Sequence, residues 1–505
     1  METNKPFSKW RQRLWPIHRH ELKKVIPLFV LKFLFTVNFY LFFTTKDTLV
    51  VTAANSGAEA IPILKGWIVL PCSILMLLIY TKLSNMLSQE KLFYTVLGGF
   101  LTFFLLFGFV LYPLRDHLSP THFCDWLESV VGSNRAYWVS TIRYWMNSLF
   151  FVMAELWGTV VLVMLFWTFA NNINKVKEAK RFYTVFVAAG NIAPVLVGSL
   201  ICYICPSDAT TSFEAAVKKI TLCSSGVIFL GALIHWWTQK FVVTDPRLCS
   251  EEIQEAVKKK KPKLTLRQSL KYILSSRYLL CVAALVIGYA FALNLVEVTW
   301  KACIKLQNPT PGAYQNFMGK LTIILGIVTP PVALLGSGNF MRKFGWYRTA
   351  RISPIMIGIT GVIFLTAVLF KEHLSPVAAL FGVTPLYFLV MLGLLQNITS
   401  KTMKYAFFDP TKEMSFIPLD PESKIKGKAA IDVVGSRFGK AGSSWTQFLL
   451  IEFFGMGSVL GVTNIILPIV VLIIGIWLFS LKSLNRQFSE LTGEDAAAPA
   501  AAQKT

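Results

Sequence analysis

Lys258-Lys259-Lys260-Lys261-Pro262-Lys263 lies inside the longest polar stretch of the chain, Gln239 to Arg277, and on both sides of it the sequence turns apolar in blocks. The blocks run to about 20 residues, the length a helix needs to cross hydrocarbon. Before the stretch they begin near Val25, Ile61, Leu92, Asn147, Tyr183 and Ile220; after it, near Tyr278, Met318, Ile352, Pro376, Ala430 and Leu460. The pattern predicts an all-α integral membrane protein with about 12 transmembrane helices in two six-helix bundles, since helices satisfy their own backbone polar groups in lipid. The organisation expected is a cytoplasmic arm (1–24), a first bundle (25–238), a basic cytoplasmic linker (239–277), a second bundle (278–481) and a disordered low-complexity tail (482–505).

Composition agrees with that class. The chain has 505 residues, 54% hydrophobic and 15% charged, with mean hydropathy +0.54, whereas soluble domains carry about 25% charged residues. Its formal charge is +23 and its pI about 9.6. In a soluble chain that balance points to nucleic acid. Here the cations fall in short segments between apolar blocks, where they set topology and meet anionic headgroups, and no nucleic-acid module is present. Cations concentrate in alternate connections: Lys82 and Lys91; Lys175, Lys177, Lys180 and Arg181; Arg342, Lys343, Arg348 and Arg351; Lys401 to Lys428; and Lys482 with Arg486. The opposite connection Pro113 to Arg135 mixes Arg115 and Arg135 with Asp116, Asp125 and Glu128. Both termini are therefore expected in the cytoplasm. The basic N-terminus has no small-residue cleavage site before the first apolar block and reads as a retained arm, not a signal peptide.

Enzyme motifs are weak. Cys202-Tyr-Ile-Cys205 closes an apolar block without a second pair or a nearby His, so helix-end packing is the better reading than metal binding. Gly435-Ser-Arg-Phe-Gly439-Lys440-Ala441 approaches a P-loop but is one residue short, and Ala441 stands where a magnesium-binding Ser or Thr belongs. No triad, metal cluster or cofactor motif emerges, which leaves a membrane enzyme acting on a phosphorylated lipid or sugar as a remote alternative to transport. A repeated pore ring, the mark of a channel, is likewise missing.

Charged residues inside the apolar blocks carry the functional signal, because each costs about 2.5–3.5 kcal/mol at a span centre. Lys32, Lys46, Lys65, Arg143, Glu155, Glu297, Asp432, Arg437, Lys440 and Glu452 lie within such blocks or at their rims. Lys32 and Lys46 could snorkel instead, and Glu452 sits near a span end. Glu155 has apolar neighbours for more than a turn on either side, Glu297 lies in the last turns of the seventh block, and Lys65 follows Ile61-Pro62-Ile63-Leu64. In the eleventh block Arg437 and Lys440 are three apart and share a helix face, amid Gly435, Gly439, Gly442, Ser443 and Ser444. Two cations in a small-residue cleft suit a phosphorylated anion; close helix packing around one ion pair is the alternative.

Two six-helix halves joined by a basic loop resemble the plan of major-facilitator-type transporters, which hold substrate between halves near midplane. That is an analogy of fold alone. A more specific resemblance lies in Lys46-Asp47-Thr48-Leu49-Val50-Val51-Thr52, Gly57-Ala58-Glu59-Ala60-Ile61-Pro62, and Lys65 with Trp67. It continues through Glu155-Leu156-Trp157-Gly158, Glu297-Val298, Trp300-Lys301, Phe408-Asp409-Pro410-Thr411-Lys412-Glu413-Met414, and Gly427 to Lys440. These stretches resemble the nucleotide transporter family, the ATP/ADP translocases of obligate intracellular bacteria and plastids, from about residue 15 to residue 480.

The resemblance implies a monomeric carrier in a bacterial cytoplasmic membrane that needs no cofactor and imports ATP, most simply in exchange for ADP. Lys65, Glu155, Glu297 and Lys440 match positions the family needs for transport, with Lys46 and Arg437 as further phosphate ligands. A triphosphate carries about four negative charges, which buried cations would balance. The glutamates are expected to pair with Lys65 and Lys440 in the empty carrier and to release them to phosphate; hydrogen bonding to ribose, or carriage of a proton, are alternatives. Two departures bear on coupling. Phe43-Thr44-Thr45 stands where many relatives carry a basic residue, and Ala302 follows Trp300-Lys301 where Asp is expected. Proton-coupled uptake of a wider range of nucleoside triphosphates is therefore the alternative to exchange.

Overall fold

The structure is a computed structural model that describes residues 17–174, 176–206, 212–245, 276–335, 337–419, 431, 435–454 and 457–492. Residues 1–16 of the arm, 246–275 of the linker, Asp432 and the tail beyond 492 lie outside the described residues. Among the described residues there are helices and no strands. The first set comprises α1 (Leu22–Val51), α2 (Ala60–Met86), α3 (Gln89–Leu111), α4 (Trp145–Ile173), α5 (Val176–Ile204) and α6 (Phe213–Val243). The second comprises α7 (Arg277–Gln307), α8 (Pro311–Leu335), α9 (Ser337–Leu369), α10 (Pro385–Ser415), α11 (Ser436–Phe454) and α12 (Thr463–Thr492).

Among the described residues nine helices are long and apolar enough to cross a membrane, ten if Lys371–Leu380 and Pro385–Ser415, bent by 87°, form one broken span. α5 and α11 fall outside that count. The first turns of α5 hold Lys177, Lys180 and Arg181, and α11 opens with Ser436, Arg437 and Lys440. Their apolar runs are shortened accordingly.

Helix starts follow local chemistry. Ser88, Ser212, Ser276 and Thr384 each sit in extended backbone and accept a hydrogen bond from the amide three residues on. Two boundaries differ from the sequence reading. The tenth span was expected near Pro376, but the chain turns at Gly382, with φ +66°, and restarts at Pro385, a residue preorganised for a first helical turn. α10 also continues to Ser415, so Lys401, Lys404 and Lys412 belong to a helix and not to a cytoplasmic loop as the charge count assumed.

The apolar windows of α1 and α7 are 61% and 67% buried, against 28% for α12. The opening helix of each half is thus central, while Leu78, Phe229 and Phe479 point outward, as lipid-facing residues do. α5 and α8 form the tightest contact between the halves. A Cβ on Gly198 would stand 2.5 Å from the Gly319 carbonyl oxygen, and one on Gly326 would stand 2.8 Å from the Val195 nitrogen. Glycine at these positions lets the two backbones touch. Cys202 and Cys205 lie on the same seam as free thiols, Cys205 offering its carbonyl to Asn316 Nδ2 at 2.6 Å.

At the proximal end, where α1 begins, Lys24 pairs with Glu178 at 2.7 Å and Lys23 with Asp245 at 3.3 Å. At the distal end the halves are latched together. Glu452 takes Arg135 and Tyr137, Glu59 accepts from the Val459 amide at 3.0 Å, and Lys305 donates to the Ser56 carbonyl at 2.6 Å. Arg143 is also distal, tied to Asp125 at 2.7 Å and Glu128 at 3.0 Å, and it anchors the short helix Thr121–Val131.

Candidate functional site

Between the halves lies a cavity of about 280 Å³ to which α1, α2, α4, α5, α7, α8, α10 and α11 all contribute. Lys46, Lys65, Glu155, Glu297 and Lys440 line it together. Arg437 lines a smaller neighbour of about 180 Å³ that shares Lys65, Glu155, Ser436 and Lys440 with the first. Residues spread over almost 400 positions of sequence thus surround one space. Lys32, the other early lysine, sits instead over the rings of Phe166 and Trp167, at 5.0 and 5.3 Å. Glu452 belongs to the distal latch.

The helices here are not regular. Lys65 lies in a π-helical turn, Leu64–Val69, and another, Gly158–Leu165, begins three residues after Glu155. A third, Lys404–Phe408, faces them from α10. Such turns widen the helix and re-aim side chains, and they recur at functional sites. Gly66 and Gly158 make room for them: a Cβ on Gly66 would meet Trp445 at 2.8 Å, and one on Gly158 would meet Phe39 at 3.1 Å.

The charges form one continuous chain. Lys46 reaches Glu155 at 3.2 Å and Asp47 at 2.9 Å; Asp47 then bridges to Lys301 at 2.9 Å. Lys301 continues to Glu297 at 3.4 Å, which meets Lys401 at 3.8 Å. Glu155 also faces Lys440, at 3.8 Å. The Asp47–Lys301 and Glu155–Lys440 pairs each join the two halves. Lys404 is balanced separately by Asp409 at 3.2 Å. Among the described residues, Lys46, Lys65, Lys301, Lys401, Arg437 and Lys440 face Asp47, Glu155 and Glu297, a formal excess of three positive charges. Isolated charge this deep is expensive, so an excess of one sign calls for a counter-charge of the other.

One expected pairing is corrected. Lys65 does not meet a glutamate: its ammonium donates to Asn294 Oδ1 at 2.7 Å. Glu155 is occupied by Lys46 and Lys440, and Glu297 by Lys301 and Lys401, so both carboxylates are taken before Lys65 can reach them. Among the described residues Arg437 likewise has no carboxylate within ion-pair distance; its guanidinium donates across the halves to the hydroxyls of Ser73 and Thr159.

Sequence reading passed over Asp47, Asn294, Lys301, Lys401 and Lys404 as site residues. The signals were present. Lys301 follows Glu297 by four residues and Lys404 follows Lys401 by three, so each pair shares a helix face. Phe43 also gains a meaning that its position as a departure did not suggest. Its ring lies under Lys401 at 4.3 Å, Lys46 at 5.5 Å and Lys301 at 5.8 Å. A neutral π face among crowded ammoniums holds them without cancelling their charge.

Comparison with known proteins places this arrangement. A family profile described as TLC ATP/ADP transporter matches residues 1–488. The chain is 46% identical over 492 residues to ADP,ATP carrier protein 1 of Chlamydia pneumoniae, covering 96% of this chain and 95% of that one. It is 43% identical over 474 residues to the plastidic ATP/ADP-transporter of Solanum tuberosum, covering 94% and 74%. With ADP,ATP carrier protein 1 of Rickettsia prowazekii identity is 36% over 503 residues, covering 98% and 100%. Among solved structures, a bacterial homologue of the iron transporter ferroportin in an inward-facing state aligns with TM-score 0.55 and 14% identity, over 95% and 100% of the two chains. A D-xylose–proton symporter aligns with TM-score 0.55 and 14% identity, over 94% and 99%. At that identity the likeness is one of fold, helical and major-facilitator-like. The chain itself, by profile and by relatives over its whole length, belongs to the TLC ATP/ADP transporter family.

Proposed function

We propose that this protein exchanges ATP for ADP across a membrane by alternating access, with the nucleotide held in the cavity between the halves. The observation that carries the reading is the positive excess there, with Lys65 and Arg437 held by neutral partners. An ammonium held by an amide keeps its charge available, and charge-assisted bonds to phosphate are roughly twice as strong as neutral ones. Lys46, Lys65, Arg437 and Lys440 are the proposed phosphate ligands. Glu155 and Glu297 compete with phosphate for the lysines, so that occupancy and the arrangement of the halves are coupled.

The lysine-rich proximal end faces the cytoplasm in this reading, with both termini there, in the cytoplasmic membrane of a bacterium. The latched distal end then closes the cavity to the outside. A monomer suffices, because the two halves supply every proposed ligand. Relatives named as ADP,ATP carriers in chlamydiae, rickettsiae and plastids favour exchange over proton-coupled uptake.

The test is uptake of labelled ATP into vesicles that are either empty or loaded with ADP. Exchange requires uptake only into loaded vesicles, insensitive to an imposed pH gradient. Uptake into empty vesicles driven by such a gradient would replace this reading with proton symport.

A further inference from the structure

We propose that Asn294 is the residue that positions Lys65 for the phosphates, an inference that rests on the nucleotide reading above. Asn294 lies on α7, is 3% exposed, and lines the cavity with Lys65. Its amide takes part in a chain with only one consistent direction. The Ser443 and Ser444 hydroxyls each donate to the Lys440 carbonyl at 2.8 Å, so each is left with lone pairs to offer. Asn294 Nδ2 donates to both hydroxyls, at 2.9 and 3.2 Å. With both amide hydrogens spent on α11, Oδ1 must face the other way, and there it accepts from Lys65 at 2.7 Å. Flipping the amide would set an NH₂ group against an ammonium and leave two buried hydroxyls without their donor.

The consequence is specific. Lys65 belongs to the first half and Asn294, Ser443 and Ser444 to the second, so the chain ties the ammonium across the interface to the helix that bears Lys440. A carboxylate at position 294 would hold Lys65 as well or better, but it would neutralise it, and phosphate would then have to displace an ion pair. The amide holds the same geometry and leaves the positive charge for the ligand. Linked hydrogen bonds also polarise one another, which strengthens the outer Lys65 contact without adding charge.

Asn294→Asp, equal in shape and different in charge, is the decisive variant. In purified carrier the Kd for ADP should rise at least about tenfold, the scale of one charge-assisted hydrogen bond. The unfolding midpoint of the nucleotide-free protein should stay close to wild type, because the new ion pair with Lys65 offsets the two donations lost to Ser443 and Ser444. In a Lys65→Gln background the same Asp substitution should cost clearly less than in wild type, since the share of the penalty that runs through Lys65 is gone. Asn294→Ser, which keeps a small hydroxyl but loses the reach, should weaken ADP binding several-fold and serves if the Asp variant does not fold. A wild-type Kd in either variant overturns the proposal, and so does a penalty that persists in full without Lys65. Wild-type protein that neither binds nor exchanges ADP would instead defeat the nucleotide reading itself.

Discussion

Replacing Glu155 by Gln removes one negative charge without changing shape, and its consequence follows from two distances. Glu155 stands 3.2 Å from Lys46 and 3.8 Å from Lys440. At an effective dielectric of about 20, the closer pair has a gross attraction of about 5 kcal/mol. Desolvation offsets part of that, and removing one member of a buried pair typically costs about 3–5 kcal/mol. The Lys440 side chain is 49% exposed, so its share is discounted to about 1 kcal/mol or less. In the proposed mechanism Glu155 recaptures these lysines as the phosphates depart, which lowers the barrier to release. Glu155→Gln cannot do so. About 3 kcal/mol of lost recapture corresponds to an exchange rate lower by about 100-fold, with ADP binding equal to wild type or tighter. The assay pairs labelled-ATP exchange in ADP-loaded proteoliposomes with calorimetric ADP binding to the same preparation. A variant that exchanges at the wild-type rate refutes the reasoning. Loss of binding refutes it too, since it would mean that Glu155 attracts the nucleotide, for instance through the ribose.

Phe43→Leu removes the ring face beneath Lys401 and Lys46; at about 0.5–2 kcal/mol for a cation–π contact, the KM for ATP should rise by about two- to thirtyfold with Vmax little changed. Glu452→Gln weakens the distal latch, but Arg135 is half exposed, so the stability loss should stay under about 1 kcal/mol. Its effect should appear instead as up to about fivefold faster labelling, by a membrane-impermeant maleimide from the distal side, of a cysteine placed at Thr48, which is buried against Gln315. Gly198→Ala puts a methyl against the Gly319 backbone and should lower the unfolding midpoint by the equivalent of about 1–3 kcal/mol. Gly98→Ala, mid-helix with nothing within 4 Å, should leave that midpoint unchanged or raise it by the equivalent of up to about 1 kcal/mol.

Membrane class was legible because apolar block length is a one-dimensional property of the sequence. The residues around the cavity were legible only where charge broke an apolar run: Lys65, Glu155 and Glu297 stand alone among hydrophobics and draw the eye. Lys401 and Lys404 were hidden by their surroundings. They precede a polar stretch, and counting cations for topology absorbed them into a loop that the structure makes helical through Ser415. Asn294 is neutral and looks like an ordinary helix residue; its weight comes from Ser443 and Ser444, about 150 positions away, which no local pattern connects to it. The pairing scheme differed for a similar reason. Sequence suggested which carboxylates and cations were buried, but Lys301 and Lys401 occupy Glu297, and Lys46 shares Glu155, through packing that only three dimensions define.

In the proposed site the cations in positive excess between the halves, Lys65 foremost, take the polyphosphate. The most direct measurement is a structure of the carrier with ADP bound, read for the position of the phosphates. The expected result is phosphate oxygens at about 2.7–2.9 Å from Lys65 Nζ, with Lys440 or Arg437 on the same group and Glu155 drawn away from Lys440. Phosphates lodged elsewhere, with Lys65 still bonded to Asn294 and Glu155 still against its lysines, would contradict it.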